Sequence, residues 1–173
     1  MDLREHIREI PDFPKPGIGF KDITTLMADA RALDAAVCGM ADAIRDERIE
    51  LVVAAEARGF LLGPALAREL GAGFVLARKP GKLPHDTIKA EYALEYGTDT
   101  LEVHSDALHA GARCIVHDDL LATGGTAKAV CQLVEQLGGE VVACLFLAEL
   151  GFLPGRERLA GYDVRSLVVY EEE

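Results

Sequence analysis

Apolar positions along the chain switch repeatedly between a helical and a strand-like spacing. Over residues 33–48 they recur every three or four positions, which predicts an amphipathic helix. The next segment, IELVVAA, is short, apolar and rich in β-branched residues, and predicts a buried strand. The same order returns with FLLGPALAREL, a helical pattern that ends at Gly71 and Gly73, and with the strand FVLAR.

A third unit lies farther along the chain. ARCIVHD predicts a strand, residues 123–137 predict a helix that stops at Gly138 and Gly139, and EVVACLFLAEL predicts another strand. Strands that alternate with helices are typical of a parallel sheet covered on both faces. The chain is therefore predicted to form an α/β fold with a central, mostly parallel sheet flanked by helices.

Two segments follow neither spacing. Residues 79–104 begin with Lys, Pro and Gly and continue into the β-prone runs KAEYALEY and TLEVH, separated by GTD. This pattern predicts a mobile basic loop that leads into a hairpin. Near the N-terminus, IPDFPKPGIGFKDIT carries prolines and glycines that predict an irregular covering segment. We expect one domain over residues 1–173 that includes both segments.

Composition and charge narrow the possible functions. The 173 residues are 50% hydrophobic and 27% charged, as expected for one globular domain with a real core. A net charge of −11 disfavours binding to nucleic acid or anionic membranes. Neither a signal peptide nor an apolar run of membrane-spanning length is visible, so we expect a cytoplasmic protein. Scattered cysteines and histidines without ligand spacing argue against structural zinc.

The stretch RCIVHDDLLATGGT carries the most specific chemistry. Asp118 and Asp119 end a predicted buried strand, although adjacent like charges repel and are difficult to bury. The loop that follows, from Thr123 to Thr126, offers unobstructed backbone N–H groups, two hydroxyls and the N-terminus of a helix, which together suit an anion. In open parallel sheets ligands bind at this edge.

The loop matches neither a Walker motif nor a dinucleotide-binding G-x-G-x-x-G motif. A ribose phosphate would satisfy both halves of the stretch, with its phosphate in the glycine loop and its hydroxyls on the two carboxylates. The alternative interpretation is a helix cap after a turn, which explains the threonines and glycines but not the paired carboxylates.

CIVHDDLLATGGT resembles the phosphoribosyl-diphosphate (PRPP) signature of the type I phosphoribosyltransferases. The similarity covers nearly the whole chain through PDFPKPGIGFKDIT, EARGF, RKPGKLP, LEYGTDTLE and SLVVYE, in the order typical of the adenine-specific members. The signature indicates the superfamily, and the other stretches together indicate adenine. The resemblance implies a type I phosphoribosyltransferase fold with a flexible loop or hairpin over residues 79–104 and an N-terminal hood over residues 1–32.

The resemblance also implies a role for each part of the site. Asp118 and Asp119 would hold the ribose hydroxyls of PRPP or AMP. The ribose phosphate would be held by the loop that follows, namely Ala122, Thr123, Gly124, Gly125 and Thr126. The diphosphate would be bound by a second loop and a basic stretch, namely Glu56, Ala57, Arg58, Gly59, Arg78, Lys79 and Lys82. Adenine would be bound by hood residues, with Phe20 stacked on the base, and by one residue after the carboxylates, namely Gly19, Phe20, Lys21 and Leu120.

Catalysis and assembly follow from the same resemblance. Glu95 and Arg58 would be catalytic, and Tyr96 would cover the reacting centre when the loop closes. Mg²⁺ would be the cofactor, bound mainly through the diphosphate and ribose hydroxyls and not directly by protein residues. Adenine and PRPP would be converted to AMP and diphosphate in purine salvage. The chain would form a homodimer in which a basic residue from RKPGK reaches the partner's site.

Two other functions are consistent with the PRPP signature. The base could be hypoxanthine, guanine or xanthine, because backbone recognition of a purine edge leaves no trace in the sequence. A PRPP-sensing regulator without catalysis is the other, but the chain has neither the length nor the charge for an added nucleic-acid-binding domain. Two departures from the family pattern are His117 before the carboxylates and DITTL, where a proline usually replaces the second threonine.

Overall fold

The computed structural model describes residues 1–93 and 98–172. The strands in this part of the chain are β1 Arg8–Ile10, β2 Phe20–Asp22, β3 Leu51–Ala55, β4 Gly73–Ala77, β5 Thr87–Ala93, β6 Thr98–His104, β7 Arg113–Leu121, β8 Glu140–Leu150 and β9 Val164–Tyr170. The helices are α1 Thr24–Ala28, α2 Ala30–Ala43, α3 Gly59–Leu70, α4 Gly125–Gln136 and α5 Gly155–Arg158, with a 3-10 helix at Leu3–His6.

The central sheet has five strands in the order β4-β3-β7-β8-β9, and every neighbouring pair is parallel. One core lies between one face of the sheet and helices α2 and α3, with Met40, Leu62 and Ile115 among its buried residues. The other core lies between the opposite face, α4 and the β5–β6 hairpin. The predicted α/β fold with a parallel sheet covered on both faces is confirmed.

Several predicted boundaries are wrong for local reasons. Helix α2 begins at Ala30 and not at residue 33, because the Asp29 carboxylate caps it by accepting from the backbone N–H groups of Arg31 and Ala32. It ends at Ala43, before the predicted end at residue 48. Helix α4 starts at Gly125 because Gly124 adopts a left-handed conformation, with φ 78°.

Strand β7 also differs from the prediction, since it continues through both carboxylates to Leu121. Backbone pairing with β8 continues as far as Leu121 opposite Glu149, so the aspartates lie within the sheet and not after it. Strand β9, at the other edge of β8, was not predicted as a strand at all. In the hairpin, β6 already includes Thr98 and Asp99, which the sequence placed in the connection.

The N-terminal segment is less irregular than predicted. Strands β1 and β2 form an antiparallel pair in which Ile10 lies opposite Phe20. The Asp22 carboxylate accepts hydrogen bonds from Arg8 at 2.6 Å and from the Thr24 backbone N–H at 2.9 Å, and these bonds lower the pKa of Asp22 to about 2. Among the described residues, no helix is both long and apolar enough to cross a membrane.

Candidate active site

A cavity of about 190 Å³ opens at the carboxyl end of β7. One of the two carboxylates and the whole predicted phosphate loop line this cavity. The lining includes Asp118, Leu120, Ala122, Thr123, Gly124, Gly125, Thr126 and Arg58. The first backbone N–H groups of α4 lie at this loop, where the positive end of the helix dipole favours a negative charge. The structure thus brings together the residues predicted for the ribose phosphate.

The phosphate loop rests directly on the short helix α5. A Cβ atom on Gly124 would lie 2.8 Å from the Gly155 carbonyl oxygen, and a Cβ atom on Gly155 would lie 2.4 Å from the Ala122 carbonyl oxygen. Only glycine allows these backbones to approach so closely. Sequence reasoning missed Gly155, because PGR in an ordinary turn gives no sign of a distant partner.

The two adjacent carboxylates have different surroundings, as expected for successive residues of a strand. Asp118 lines the cavity, and its Oδ1 accepts a hydrogen bond from the Asp119 backbone N–H at 2.9 Å. Asp119 is 2% exposed, and its Oδ2 lies 3.2 Å from Arg58 Nε in an ion pair. Burial raises the pKa of Asp118 well above its ordinary value, and the neighbouring Asp119 adds to this rise.

Burial also raises the pKa of Asp119, although the charge of Arg58 opposes the increase. Two desolvated carboxylates side by side are unfavourable without a ligand, so a polar or cationic group that binds here relieves this cost. Beside them, His117 is fully buried, and its Nδ1 lies 2.9 Å from the Leu145 carbonyl oxygen. Burial lowers the pKa of His117 to about 4, so this imidazole is neutral at pH 7.

Arg58 connects the carboxylates to the hood. Its guanidinium carbon lies 5.0 Å from the centre of the Phe20 ring, a cation–π arrangement. Phe20 in turn meets Phe13 edge to face, with 5.1 Å between ring centres, and Phe13 is 50% exposed. The predicted hood aromatic therefore lies next to the arginine that pairs with Asp119.

The Lys21 side chain, by contrast, contacts other side chains of the protein. Its Nζ lies 2.9 Å from Glu9 Oε2 and 4.5 Å from the centre of the Tyr170 ring, and the residue is 5% exposed. A Cβ atom on Gly19 would lie 2.9 Å from the same Glu9 carboxylate. The Lys21 ammonium therefore holds the hood to the end of β9, and neither Lys21 nor Gly19 is among the residues that line the cavity.

The second predicted loop, residues 56–59, lies between β3 and α3. The Glu56–Ala57 peptide bond is cis. Glu56 accepts hydrogen bonds from Arg78 Nε and Nη2, both at 3.1 Å, and from the Lys79 backbone N–H at 3.0 Å. The bonds from Arg78 hold the pKa of Glu56 below its ordinary value. Arg78 is therefore joined to this loop within the same chain.

The two lysines of the basic stretch differ in their availability. Lys79 Nζ forms an ion pair with Asp99 and lies 3.1 Å from the Tyr92 hydroxyl, so it ties the basic stretch to the hairpin. Lys82 is exposed, and its side chain makes no ion pair within residues 1–93 and 98–172. Glu95 and Tyr96, predicted to cover the reacting centre, lie outside the described residues.

Comparison with known proteins identifies the family of this site. A family model described as a phosphoribosyl transferase domain matches residues 26–166. The chain is also 55% identical to the adenine phosphoribosyltransferase of Thermotoga neapolitana, over 98% of this chain and all of the relative. The chain belongs to the adenine phosphoribosyltransferase family. The enzyme class and fold family expected from the sequence are confirmed.

Solved structures of adenine phosphoribosyltransferases share the whole fold. The structure from Thermoanaerobacter pseudethanolicus is 54% identical, with a TM-score of 0.95 over 98% of both chains. The enzyme from Saccharomyces cerevisiae, solved with an imino-altritol bisphosphate and adenine, is 38% identical, with a TM-score of 0.90 over 96% of both chains.

Proposed function

We propose that this site transfers the 5-phosphoribosyl group of PRPP to adenine, giving AMP and diphosphate. The observation that carries the proposal is a single cavity lined by Asp118, the loop of residues 122–126 and Arg58, with the Phe20 ring against the Arg58 guanidinium. This arrangement suits a molecule with a phosphate at one end, vicinal hydroxyls in the middle and an aromatic base at the other. Adenine as the base is supported by the names of the related proteins.

The roles of the residues follow from their surroundings. The Thr123–Thr126 backbone and hydroxyls bind the ribose phosphate, and Asp118 accepts hydrogen bonds from the ribose hydroxyls while Asp119 holds Arg58 in place. Displacement of diphosphate by a purine nitrogen builds positive charge on the sugar, as in glycoside chemistry. Two nearby carboxylates stabilise that charge, and Arg58 and residues 56–59 hold the departing diphosphate.

Mg²⁺ fits this donor set as an ion bound mainly through the substrate. Within the described residues, no group of three or more His, Cys, Asp or Glu side chains is arranged to hold a metal. Mg²⁺ commonly keeps several waters and binds substrate phosphates, so the diphosphate and ribose hydroxyls of PRPP would supply most of its ligands. When bound, the ion would neutralise charge on the leaving diphosphate.

Segments 1–32 and 79–104 act as covers within one domain of residues 1–173. The resemblance gives Glu95 the role of a proton acceptor on the purine and Tyr96 the role of a cover, and the β5–β6 hairpin that carries them is joined to β4 through backbone bonds between Arg78 and Glu102. A closed cover excludes water, which would otherwise hydrolyse PRPP.

Base recognition by the hood gives the first testable prediction. In Phe20→Ala, loss of the stacking surface is expected to raise KM for adenine about 10- to 100-fold, with KM for PRPP changed less than about threefold because the phosphate loop is intact. Steady-state kinetics with each substrate varied in turn measures both. Phe13→Ala is the control, since it truncates a half-exposed aromatic that packs against Phe20 in a T-shaped arrangement, and equal effects of both variants would contradict the stacking role.

Dimer formation is proposed from the exposed face of α3 and the edge strand β4. Leu61 is 44% exposed and Leu76 is 38% exposed, in a chain whose largest apolar side chains are otherwise mostly buried. Lys82 lies five residues after the end of β4 and is exposed, so a partner packed on this face would receive this cation near its own site. An acidic protein that binds diphosphate benefits from such added positive charge.

Mixed dimers test this arrangement. Asp118→Asn and Lys82→Ala are each expected to be strongly impaired; Lys82 is replaced alone because Arg78 also holds Glu56 within its own chain. If Lys82 acts in the partner's site, mixing equal amounts under exchange conditions should restore about a quarter of the wild-type rate, because half the dimers then carry one complete site. No recovery, while mass spectrometry shows mixed dimers, would place Lys82 in its own chain's site.

The experiment that tests the function itself supplies PRPP, Mg²⁺ and one of adenine, hypoxanthine, guanine or xanthine, and follows nucleotide and diphosphate by chromatography. AMP from adenine alone is the expected result. If a nucleotide formed from an oxo-purine, the assignment of the phosphoribosyl site would stand and the assignment of adenine as the base would be wrong. PRPP binding without any product would indicate a regulator.

A further inference from the structure

Glu149 is a buried carboxylate that plays no part in the proposed mechanism. It is 3% exposed and lies near the end of β8, at the same edge of the sheet as the active site. Its Oε1 accepts from Arg156 Nε at 2.6 Å and its Oε2 accepts from Arg156 Nη2 at 2.8 Å. The Ser166 hydroxyl donates to the same Oε2 at 2.7 Å. A buried charge held on both oxygens in this way has a defined position.

Arg156 extends this connection to two other elements. It belongs to α5, and its Nη1 donates to the Val164 carbonyl oxygen of β9 at 2.9 Å. The pair therefore fixes α5 against both β8 and β9. As a helix of only four residues, α5 has little stability of its own, and its placement depends on such contacts.

The position of α5 determines the position of the phosphate loop. Gly155, next to Arg156, packs closely against the loop: a Cβ atom on Gly155 would lie 2.4 Å from the Ala122 carbonyl oxygen, and one on Gly124 would lie 2.8 Å from the Gly155 carbonyl oxygen. Leu121, the residue before the loop, lies opposite Glu149 in the β7–β8 register. Glu149 is thus joined to the strand that leads into the loop through backbone pairing, and to the helix beneath the loop through its carboxylate.

We infer that Glu149 and Arg156 are positioning residues that hold the loop of residues 122–126 in the conformation that binds the 5-phosphate of PRPP. The inference rests on the proposed function, because it concerns the same loop and the same substrate. Arg156 also neutralises a carboxylate near an anion site. The planar guanidinium of Arg156 binds both oxygens of the carboxylate at once, which a lysine ammonium does not do in the same geometry.

The test compares Arg156→Lys and Glu149→Gln with a matched control, Arg113→Lys. Arg113 also bridges carboxylates, with 2.8 Å from Nη1 to Glu140 and 3.2 Å from Nη2 to Glu47, but at the opposite edge of the sheet. Both test variants are expected to raise KM for PRPP and Kd for ribose 5-phosphate about tenfold. KM for adenine and kcat at saturating PRPP should stay within about twofold of wild type, and the control should leave all four constants unchanged.

Calorimetric binding of ribose 5-phosphate separates this inference from the proposed function. Failure of the function would appear as wild-type protein that forms no AMP, whatever the variants do. Failure of the inference would appear as active wild type together with variants that lose only thermal stability, or that change PRPP and adenine constants alike. If one variant does not fold, the other still decides, since each breaks the pair from a different side.

Discussion

Asp118→Asn is expected to lower kcat/KM by about 10³-fold and to raise the melting temperature of the ligand-free protein. The loss of activity follows because the amide no longer provides the charge-assisted acceptor for ribose hydroxyls or the negative charge beside the forming sugar cation. The gain in stability follows because the substitution removes one of two adjacent desolvated carboxylates, of which Asp118 is half-buried and Asp119 buried. Activity assays and thermal melts at pH 7 measure the two effects.

The stability effect has a definite pH dependence. Burial raises the pKa of Asp118 in the folded protein, so its folded form binds the proton more tightly than the unfolded chain does. Such a group contributes stability that is fully present below the unfolded pKa of about 4 and is lost as pH rises through the folded value. The difference in melting temperature between Asp118→Asn and wild type should therefore grow from about pH 4 towards neutral pH.

Asp22→Asn provides the control of opposite sign. The bonds from Arg8 and Thr24 lower the pKa of Asp22 to about 2, so its ionised form stabilises the fold above the unfolded pKa and this stability is lost as pH falls through the folded value. Asp22→Asn is expected to lower the melting temperature at pH 7. If the melting temperature fell in both variants, the prediction that ionised Asp118 destabilises the folded protein would be contradicted.

Gly124→Ala is expected to lower kcat/KM for PRPP by about 100-fold, since a loop displaced by even 1 Å no longer presents its N–H groups to the phosphate. Two effects combine at this position. The residue has φ 78°, and an added Cβ would lie 2.8 Å from the backbone oxygen of Gly155, which cannot move aside as a flexible side chain does. Kinetics with PRPP varied, and binding of ribose 5-phosphate, measure the loss.

Gly111→Ala separates the two effects. Gly111 has nearly the same φ, 80°, but an added Cβ would meet nothing within 4 Å. It is therefore expected to lower stability by about 1 kcal/mol through backbone strain alone and to leave KM for PRPP unchanged. If Gly111→Ala impaired PRPP use as much as Gly124→Ala does, general destabilisation would explain both, and the contact with α5 would have no specific role.

The sequence alone predicted the layered α/β fold, because hydrophobic positions alternate between strand-like and helical spacing. A buried parallel strand and an amphipathic helix each leave such a local pattern. The succession of a strand, two carboxylates and a glycine loop also predicted that these residues lie near the carboxyl end of one strand, and the structure brings Asp118 and residues 122–126 together in one cavity there. For these residues, neighbours in the sequence are also neighbours in the folded protein.

Tertiary structure alone decided how these groups are held. That β7 continues through both aspartates depends on pairing with β8, and that Asp118 faces the cavity while Asp119 meets Arg58 depends on the pleat of that strand. The support of the loop by Gly155, and of α5 by Glu149, joins residues far apart in the chain. Such contacts arise from packing between elements, which hydrophobic periodicity does not encode.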